Sequence, residues 1–327
     1  MRTSGVSTAA FGSVLAAVAV VALFGPRATD AQVAAASPSP CPTMWCVTRL
    51  AAGVTWMRRT MALPSGVPQV NVVDVDPAFA TVRATETKFA PALYETVPAM
   101  ANDLPVAPAL VAVNGGYFQN NPPPPPMNRF GFNSMLKLGG TLVAPPPVTA
   151  PALGMSGGGF AFAVEPGSPD PLADYPDVVS AGPFVVMPRP VPSAGVPTPA
   201  PGPTPFFMAQ GFACSYHPRT AAWLRANGHL MLGTFDGTND SSGLWLDTPT
   251  SPVCSGSTAP WNGISLGQFI LQNFPDTVQA MNLDGGGSTT FVVNGVLTNV
   301  PANNSSGDPR PVIDGLLVVP YGEPPRR

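Results

Sequence analysis

A single carboxylate beside bare main chain stands out in residues 280–295, AMNLDGGGSTTFVVNG. After Asp284 come Gly285, Gly286 and Gly287, and then the hydroxyl side chains of Ser288 and Thr289. Glycines reach positive φ at low steric cost and let a ligand approach main-chain N–H groups, and hydroxyls add donors and acceptors beside them. The pattern predicts a site for a ligand with several oxygens. A glycine-rich turn in which Asp284 caps its own backbone is the structural alternative.

A second glycine pair follows a predicted strand at residues 109–113. Here Asn114, Gly115 and Gly116 precede Tyr117 and Phe118. A glycine pair that interrupts apolar sequence beside a polar side chain is expected where a strand ends at a pocket, and an ordinary turn is the alternative. We expect both glycine segments to contribute to one substrate-binding pocket.

The segment His217-Pro218-Arg219-Thr220 introduces a predicted hairpin that ends at Asp236. Strands at 220–224 and 230–234 flank an Asn-Gly turn, which is a strong hairpin signal. Arg219 is suited to binding an anion through two parallel hydrogen bonds, and His217 to moving a proton near neutral pH. We predict catalytic roles for Asp284, Asp236, Arg219 and His217. A structural ion pair of Arg219 with Asp236, and a surface position for His217, are the alternatives.

The remaining pattern predicts an α+β fold in which strands dominate, with mixed sheets, a few packed helices and one main domain. Further strands are expected at residues 70–75, 109–113, 160–164, 178–186 and 316–319. Helices are expected at 90–100 and at 265–274, the second with Ser265 as its N-cap. Proline is abundant, with 44 residues, and its clusters at 122–126, 145–151 and 188–205 predict stiff loop insertions.

The first 31 residues are typical of a secretory signal, with Arg2 ahead of an apolar run and small residues at the cleavage position; a retained membrane anchor is the alternative. We expect an N-terminal extension at 32–69, the main domain at 70–327, and no stable membrane span once the signal is removed. Exported proteins often carry disulfides. We predict Cys41 paired with Cys46 and Cys214 with Cys254, although four cysteines allow three connectivities.

Composition excludes several classes of protein. Charged residues are 10% of the chain and the net charge is −3, so nothing favours nucleic-acid binding, and the hydrophobic share of 45% supports a sizeable core. With only two histidines and no paired short cysteine spacing, a zinc site is disfavoured. We expect no cofactor or metal. Calcium held by Asp284, Asp236 and carbonyl oxygens is the alternative.

Taken in order, these motifs resemble the phosphodiester glycosidase family across residues 70–319. The resemblance is carried by NGGYF, SAGPFVV, HPRTAAWL with its trailing FDG, GISLGQF, the DGGGS block and Arg310. It implies cleavage of a sugar from a phosphodiester at the anomeric carbon. Functional positions of the family match Asn114, Gly115, Arg219, Asp236, Asp284, Gly285, Gly286, Gly287, Ser288 and Arg310. The chain departs from the family in the proline-rich loop after NGGYF and in Asp308-Pro309, where Gly-Glu is frequent.

The chemistry of such a cleavage sets the requirements of the site. A phosphomonoester leaves C1 as a stabilised anion, so strong acid assistance is less necessary than for an alcohol. Positive charge must hold the phosphate, and a carboxylate must face the oxocarbenium-like carbon. Arg219 and Arg310 suit the first task, and Asp284 and Asp236 the second. We expect a secreted hydrolase of glycosyl phosphodiesters or related envelope glycans. A non-catalytic carbohydrate-binding or envelope-assembly protein is the alternative.

Overall fold

Antiparallel strands build most of the described part of the chain. The structure is a computed structural model that describes residues 45–61, 69–88, 94–103, 108–118, 134–145, 150–165, 170–187, 213–237, 243–246, 254, 264–302 and 308–321. These residues belong to one compact unit, Pro40–Arg327. Its strands are β1 (Cys46–Ala51), β2 (Val54–Thr60), β3 (Gln69–Val75), β4 (Ala80–Glu86), β5 (Val111–Asn114), β6 (Leu136–Leu138), β7 (Thr141–Ala144), β8 (Ala150–Ser156), β9 (Gly159–Glu165), β10 (Asp177–Ser180), β11 (Phe184–Val186), β12 (Arg219–Arg225), β13 (Leu230–Phe235), β14 (Thr277–Asn282), β15 (Phe291–Val293), β16 (Val296–Leu297) and β17 (Asp314–Pro320).

The described strands form three sheets. Sheet one has the order β1-β2-β3-β13-β12-β14-β11, sheet two β7-β6-β10-β8-β9, and sheet three β16-β15-β5-β17-β4. Strand dominance is confirmed. The expectation of mixed sheets is wrong for these strands, since every pairing between them is antiparallel. Short hairpin connections favour antiparallel pairing, whereas parallel pairs need long crossovers.

Two helices accompany the sheets in the described residues, α1 (Val97–Asn102) and α2 (Leu266–Asn273). The predicted N-cap of α2 is confirmed, because the Ser265 hydroxyl accepts a hydrogen bond from the Gln268 N–H in a capping box. Helix α1 is shorter than predicted. Glu95 pairs instead with Val312 as an extended bridge, and Pro98 lies in the first turn of α1, where its missing N–H does no harm.

The predicted single strand at 178–186 is two strands. Val178 and Val179 of β10 pair within sheet two, and Phe184 of β11 pairs with Met281 in sheet one. Gly182-Pro183 separates them, and proline cannot donate a ladder hydrogen bond. The segment therefore passes from one sheet to another.

Aromatic side chains fill the core over sheet one. Trp223 and Phe235 are fully buried, and Phe235 meets Phe269 of α2 edge-to-face at 5.1 Å between ring centroids. Strands β1 and β2, from the predicted N-terminal extension, extend the same sheet, because β2 pairs with β3 from Val54 to Thr60. The proline clusters at 122–126 and 188–205 lie outside the described residues. Pro151 of the middle cluster belongs to strand β8, opposite Val164.

Candidate functional site

Sheets one and three are joined by the chain that leaves β14. Its N–H groups donate hydrogen bonds in turn to both sheets: Leu283 to the Thr220 carbonyl at 2.8 Å, Asp284 to the Gly115 carbonyl at 3.0 Å, and Gly286 to the Pro218 carbonyl at 2.8 Å. The predicted convergence of the DGGGS, NGGYF and HPRT motifs is therefore what the structure shows. Asp284 lies between the start of β12 and the end of β5.

Asn114 fixes this junction with its side chain. Its Nδ2 donates to the Asp284 carbonyl at 2.7 Å, and its Oδ1 accepts from the Thr220 hydroxyl at 2.8 Å and the Thr290 N–H at 3.1 Å. The residue is fully buried. Because these bonds occupy both ends of the amide, Asn114 holds three segments together beneath the site.

Asp284 is the one part of its segment that reaches toward solvent. It is half-buried, whereas every other residue of 281–293 is buried. Burial raises the pKa of Asp284 to about 6, against the lowering effects of the nearby Ser288 hydroxyl, the Gly285 N–H and the Arg310 charge. Arg310, a half-buried side chain before β17, is thus a cation that acts on this carboxylate.

The glycine triplet forms a tight turn under Asp284. Gly286–Ser288 is a short 3-10 helix, and Gly286 adopts φ 59°, a conformation that favours glycine. The Gly285 N–H donates to Asp284 Oδ1 at 2.9 Å. The turn and site interpretations of this segment are thus compatible, since the turn is what presents the carboxylate. Gly287, Ser288 and Thr289 are buried within it.

Gly115 and Gly116 allow close packing. A Cβ on Gly115 would lie 2.8 Å from Asp314 Oδ1, and one on Gly116 would lie 2.7 Å from the Ser134 side chain. Both distances are too short for any larger residue without rearrangement. The absence of side chains at Gly115 and Gly116 therefore lets Asp314 and Ser134 pack close to the main chain. Contacts of the two glycines with substrate stay a prediction.

Asp314, at the start of β17, is not among the site residues that the sequence predicts. It is fully buried, and burial raises its pKa to about 7, a shift opposed by the Gly116 N–H and increased by the negative charge of Asp284. Its position inside the apolar run VIDGLLVV is the sequence signal for it, because buried aspartates are rare without a partner.

Tyr117 and Arg219 are buried side chains near Asp284, since Asp284 and Arg219 both act electrostatically on Tyr117. The Tyr117 hydroxyl donates to the Gly182 carbonyl and accepts from Asn282 Nδ2, both at 2.6 Å. Burial and the charge of Asp284 raise the pKa of Tyr117 well above its usual value, and the charge of Arg219 lowers it. The sequence motifs that contain Tyr117 and Asn282 predict no role for either side chain.

Arg219 is fully buried. Its Nε donates to the Leu244 carbonyl at 2.8 Å and its Nη2 to the Ser215 carbonyl at 3.0 Å. Burial lowers the pKa of Arg219 to about 9. A guanidinium anchored on carbonyls in this way supplies fixed positive charge to the site.

Asp236 belongs to a neighbouring network. Its oxygens accept hydrogen bonds from Asn299 Nδ2 at 3.0 Å and the Val300 N–H at 3.1 Å, and Asn299 Nδ2 also donates to the Thr289 carbonyl at 3.0 Å. Burial raises the pKa of Asp236 to about 7, and these two hydrogen bonds oppose the rise. The structure thus connects Asp236 to the site turn through Asn299.

His217 lies at the edge of the site on the segment before β12. Its Nε2 is 2.9 Å from the Ser215 hydroxyl, and its main chain bridges Leu244. The predicted Cys214–Cys254 disulfide is confirmed and links the start of this segment to residue 254. Cys41 lies outside the described residues, so its pairing with Cys46 stays a prediction.

Metal ligation and membrane insertion find no candidate in the described part of the chain. There, no three His, Cys, Asp or Glu side chains cluster as metal ligands. The expectation of no cofactor or metal, with calcium as its alternative, stays a prediction. No helix among the described residues has the length and apolarity needed to cross a bilayer.

Comparison with known proteins agrees with this geometry. The family model described as phosphodiester glycosidase matches residues 107–319. Over 86 residues the chain is 36% identical to the mouse and 35% identical to the human N-acetylglucosamine-1-phosphodiester alpha-N-acetylglucosaminidase. That match covers 26% of this chain and only 13% of those relatives.

Solved structures show the same fold at low identity. A hypothetical protein from Synechocystis superposes with a TM-score of 0.60 at 15% identity, covering 85% of this chain and 64% of that one. The catalytic domain of the zebrafish N-acetylglucosamine-1-phosphodiester alpha-N-acetylglucosaminidase, auto-inhibited by its pro-peptide, superposes with a TM-score of 0.53 at 18% identity, covering 86% and 85%. Since the family model spans more than half of the chain, and the motifs that carry it converge on Asp284, this protein belongs to the phosphodiester glycosidase family.

Proposed function

We propose that this protein is a secreted hydrolase that cleaves the C1–O bond of a glycosyl phosphodiester. One observation carries the proposal: within a family-matched domain, Asp284 is the half-buried carboxylate of an otherwise buried turn, and Arg310 acts on it electrostatically. A carboxylate and a cation at one opening are what a glycosyl cation and a departing phosphate require.

The proposed reaction assigns a task to each group. With a pKa of about 6, Asp284 is largely ionised at neutral pH and stabilises positive charge at C1, either by direct attack or by orienting water. Arg310 binds the phosphate. Arg219 adds positive potential from behind, because its Nε and Nη2 are engaged by carbonyls. Asn114 and the glycine turn hold Asp284 in place, as the hydrogen bonds to its main chain support.

The proposed location is outside the cytoplasm. The signal-like residues 1–31 and the Cys214–Cys254 disulfide support it, since disulfides persist in oxidising compartments. The proposed substrates are accordingly sugar phosphodiesters of envelope or extracellular glycans.

The test is a panel of sugar-1-phosphodiesters with mass analysis of the products. Free sugar plus a phosphomonoester identifies cleavage at C1, and the anomer first formed tells direct attack from water activation. We expect Asp284→Asn to lower kcat/KM by about 1,000-fold or more, while the matched change Asp276→Asn, in an ion pair with Arg225, leaves it within about threefold.

Two outcomes would overturn the proposal. Sugar phosphate plus alcohol would mark a phosphodiesterase. Calorimetric binding of a sugar phosphate without turnover on any panel member, in wild type and Asp284→Asn alike, would favour the carbohydrate-binding alternative.

A further inference from the structure

Gly115, the residue that follows β5, is hydrogen-bonded through its main chain to two aspartates of the site. The Gly115 N–H donates to the Asp314 carbonyl at 3.1 Å, and the Gly115 carbonyl accepts from the Asp284 N–H at 3.0 Å. The Asp314 carboxylate also lies against the Gly115 Cα, where a Cβ would be 2.8 Å from Oδ1. Gly115 therefore lies between the main chain of the half-buried Asp284 and that of the fully buried Asp314.

The surroundings of Asp314 favour its neutral form. Neither of its oxygens completes a hydrogen bond of normal geometry with the described residues, and its side chain has no solvent exposure. Glu86 of β4 lies opposite it in register. The groups acting on it from packed elements are the Gly116 N–H, Asp284 and Glu86. Burial and the two acidic neighbours outweigh the N–H groups of Gly116 and of Asp314 itself, so the neutral form is favoured.

We propose that Asp314 is a positioning residue that sets the charge of the pair it forms with Asp284. While protonated, it leaves Asp284 as the single charged carboxylate of the pair; once ionised, it adds a second negative charge that repels the anionic substrate. The claim that ionised Asp314 repels the substrate rests on the proposed function. The claim that Asp314 keeps its proton beside Asp284 does not.

The pair then titrates in two steps. Asp284 loses its proton first, with a pKa of about 6; burial, together with the charge of Asp284, raises the pKa of Asp314 to about 7. Between these values the site carries one negative charge on the half-buried carboxylate. Above the pKa of Asp314, the negative charge of its carboxylate, which lies against Gly115, opposes binding of the anionic substrate.

The first experiment needs no substrate. Carboxyl ¹³C NMR of aspartate-labelled protein follows the buried acids through pH, and Asp314→Asn and Asp236→Asn assign the two that titrate near 7. We expect Asp284→Asn to lower the apparent pKa of Asp314 by about one unit and to leave that of Asp236 in place. The proposal would be overturned if the apparent pKa of Asp314 did not change in Asp284→Asn, or if the Asp314 carboxyl were already ionised at pH 5. If Asp314→Asn does not fold, the Asp284→Asn arm still decides.

The second experiment measures kcat/KM against pH on a panel substrate. Wild-type kcat/KM should fall about tenfold per pH unit above 7, so the ratio of Asp314→Asn to wild type should rise with pH. Asp276→Asn is the control, because its carboxylate pairs with Arg225 at the other end of the β12–β13 hairpin; its profile should keep the wild-type fall. An unchanged fall in Asp314→Asn would refute the repulsion. Absence of turnover on the whole panel would refute the proposed function instead, and the NMR result would stand separately.

Discussion

The hairpin of β12 and β13 carries the same kinds of side chain at both ends but uses them differently. At its turn, Arg225 pairs with Asp74 at 3.0 Å and Asp276 at 2.9 Å, and His229 Nδ1 is 2.7 Å from Asp74. At its other end, Arg219 donates to carbonyls. The carboxylates there, Asp236 and Asp284, accept hydrogen bonds from neutral N–H groups.

The difference separates structural charge from functional charge. At the turn, opposite charges form ion pairs at a partly exposed surface, and such pairs contribute little to the free energy of unfolding. At the site end, burial raises the pKa values of the acids and lowers that of Arg219. Perturbed groups of this kind concentrate at functional sites.

Replacing each arginine by methionine tests this contrast most strongly. Arg219→Met leaves the buried carbonyls of Leu244 and Ser215 without these donors, so we expect the free energy of unfolding to fall by about 5 kcal/mol. Arg225→Met breaks partly exposed pairs and should cost about 1 kcal/mol. Urea unfolding of both variants measures this. Equal losses would show that the two ends do not differ.

The buried acids predict a pH dependence of stability. Folding raises the pKa of Asp314 from 3.8 to about 7, so the folded state binds more protons than the unfolded state between these values. The free energy of unfolding therefore decreases as pH rises from about 4 to 7. Asp314→Asn should remove the loss of stability that ionisation of Asp314 causes. Its free energy of unfolding relative to wild type should therefore be higher at pH 8 than at pH 4, by up to about 4 kcal/mol. Urea unfolding at both pH values checks this, and Asp276→Asn serves as the control; a gain of the same size at pH 4 would contradict the linkage.

An asparagine at each end gives a matched pair of smaller effects. Asn114→Ala removes three hydrogen bonds around the Asp284 turn and should cost about 3 kcal/mol. Asn227→Ala removes one exposed bond to the His229 N–H and should cost less than about 0.5 kcal/mol. Thermal unfolding at one pH compares them. A larger loss in Asn227→Ala would reverse the assignment of the two ends.

The smallest effect is expected at the turn histidine. His229→Gln keeps a side chain that is able to hydrogen-bond Asp74, so the free energy of unfolding should change by less than about 0.5 kcal/mol, and kcat/KM should stay within about twofold. Urea unfolding and a panel-substrate assay measure both. A tenfold loss of activity would mean that the turn end takes part in function.

Local sequence signals predicted the elements with strong periodicity. The hairpin of β12 and β13, the final strand β17 and the capped helix α2 lie where the pattern placed them, because alternation, an Asn-Gly turn and a capping serine act over a few residues. The division of 178–186 and the shortening of α1 escaped prediction. Both depend on partners distant in sequence, such as Val312 opposite Glu95.

For the site, the sequence determined that Asp284, the glycine turn and Arg219 would be available, and that the NGGYF and HPRT segments end or begin strands beside them. Tertiary structure alone decided which polar groups would be buried without charge partners. The Asp314 carboxylate packs against Gly115, and Asp236 accepts a hydrogen bond from Asn299. Both contacts join segments distant in sequence, so they depend on how the strands pair. Burial and neighbouring charge, which decide the proton affinity of each carboxylate, exist only once the sheets have packed.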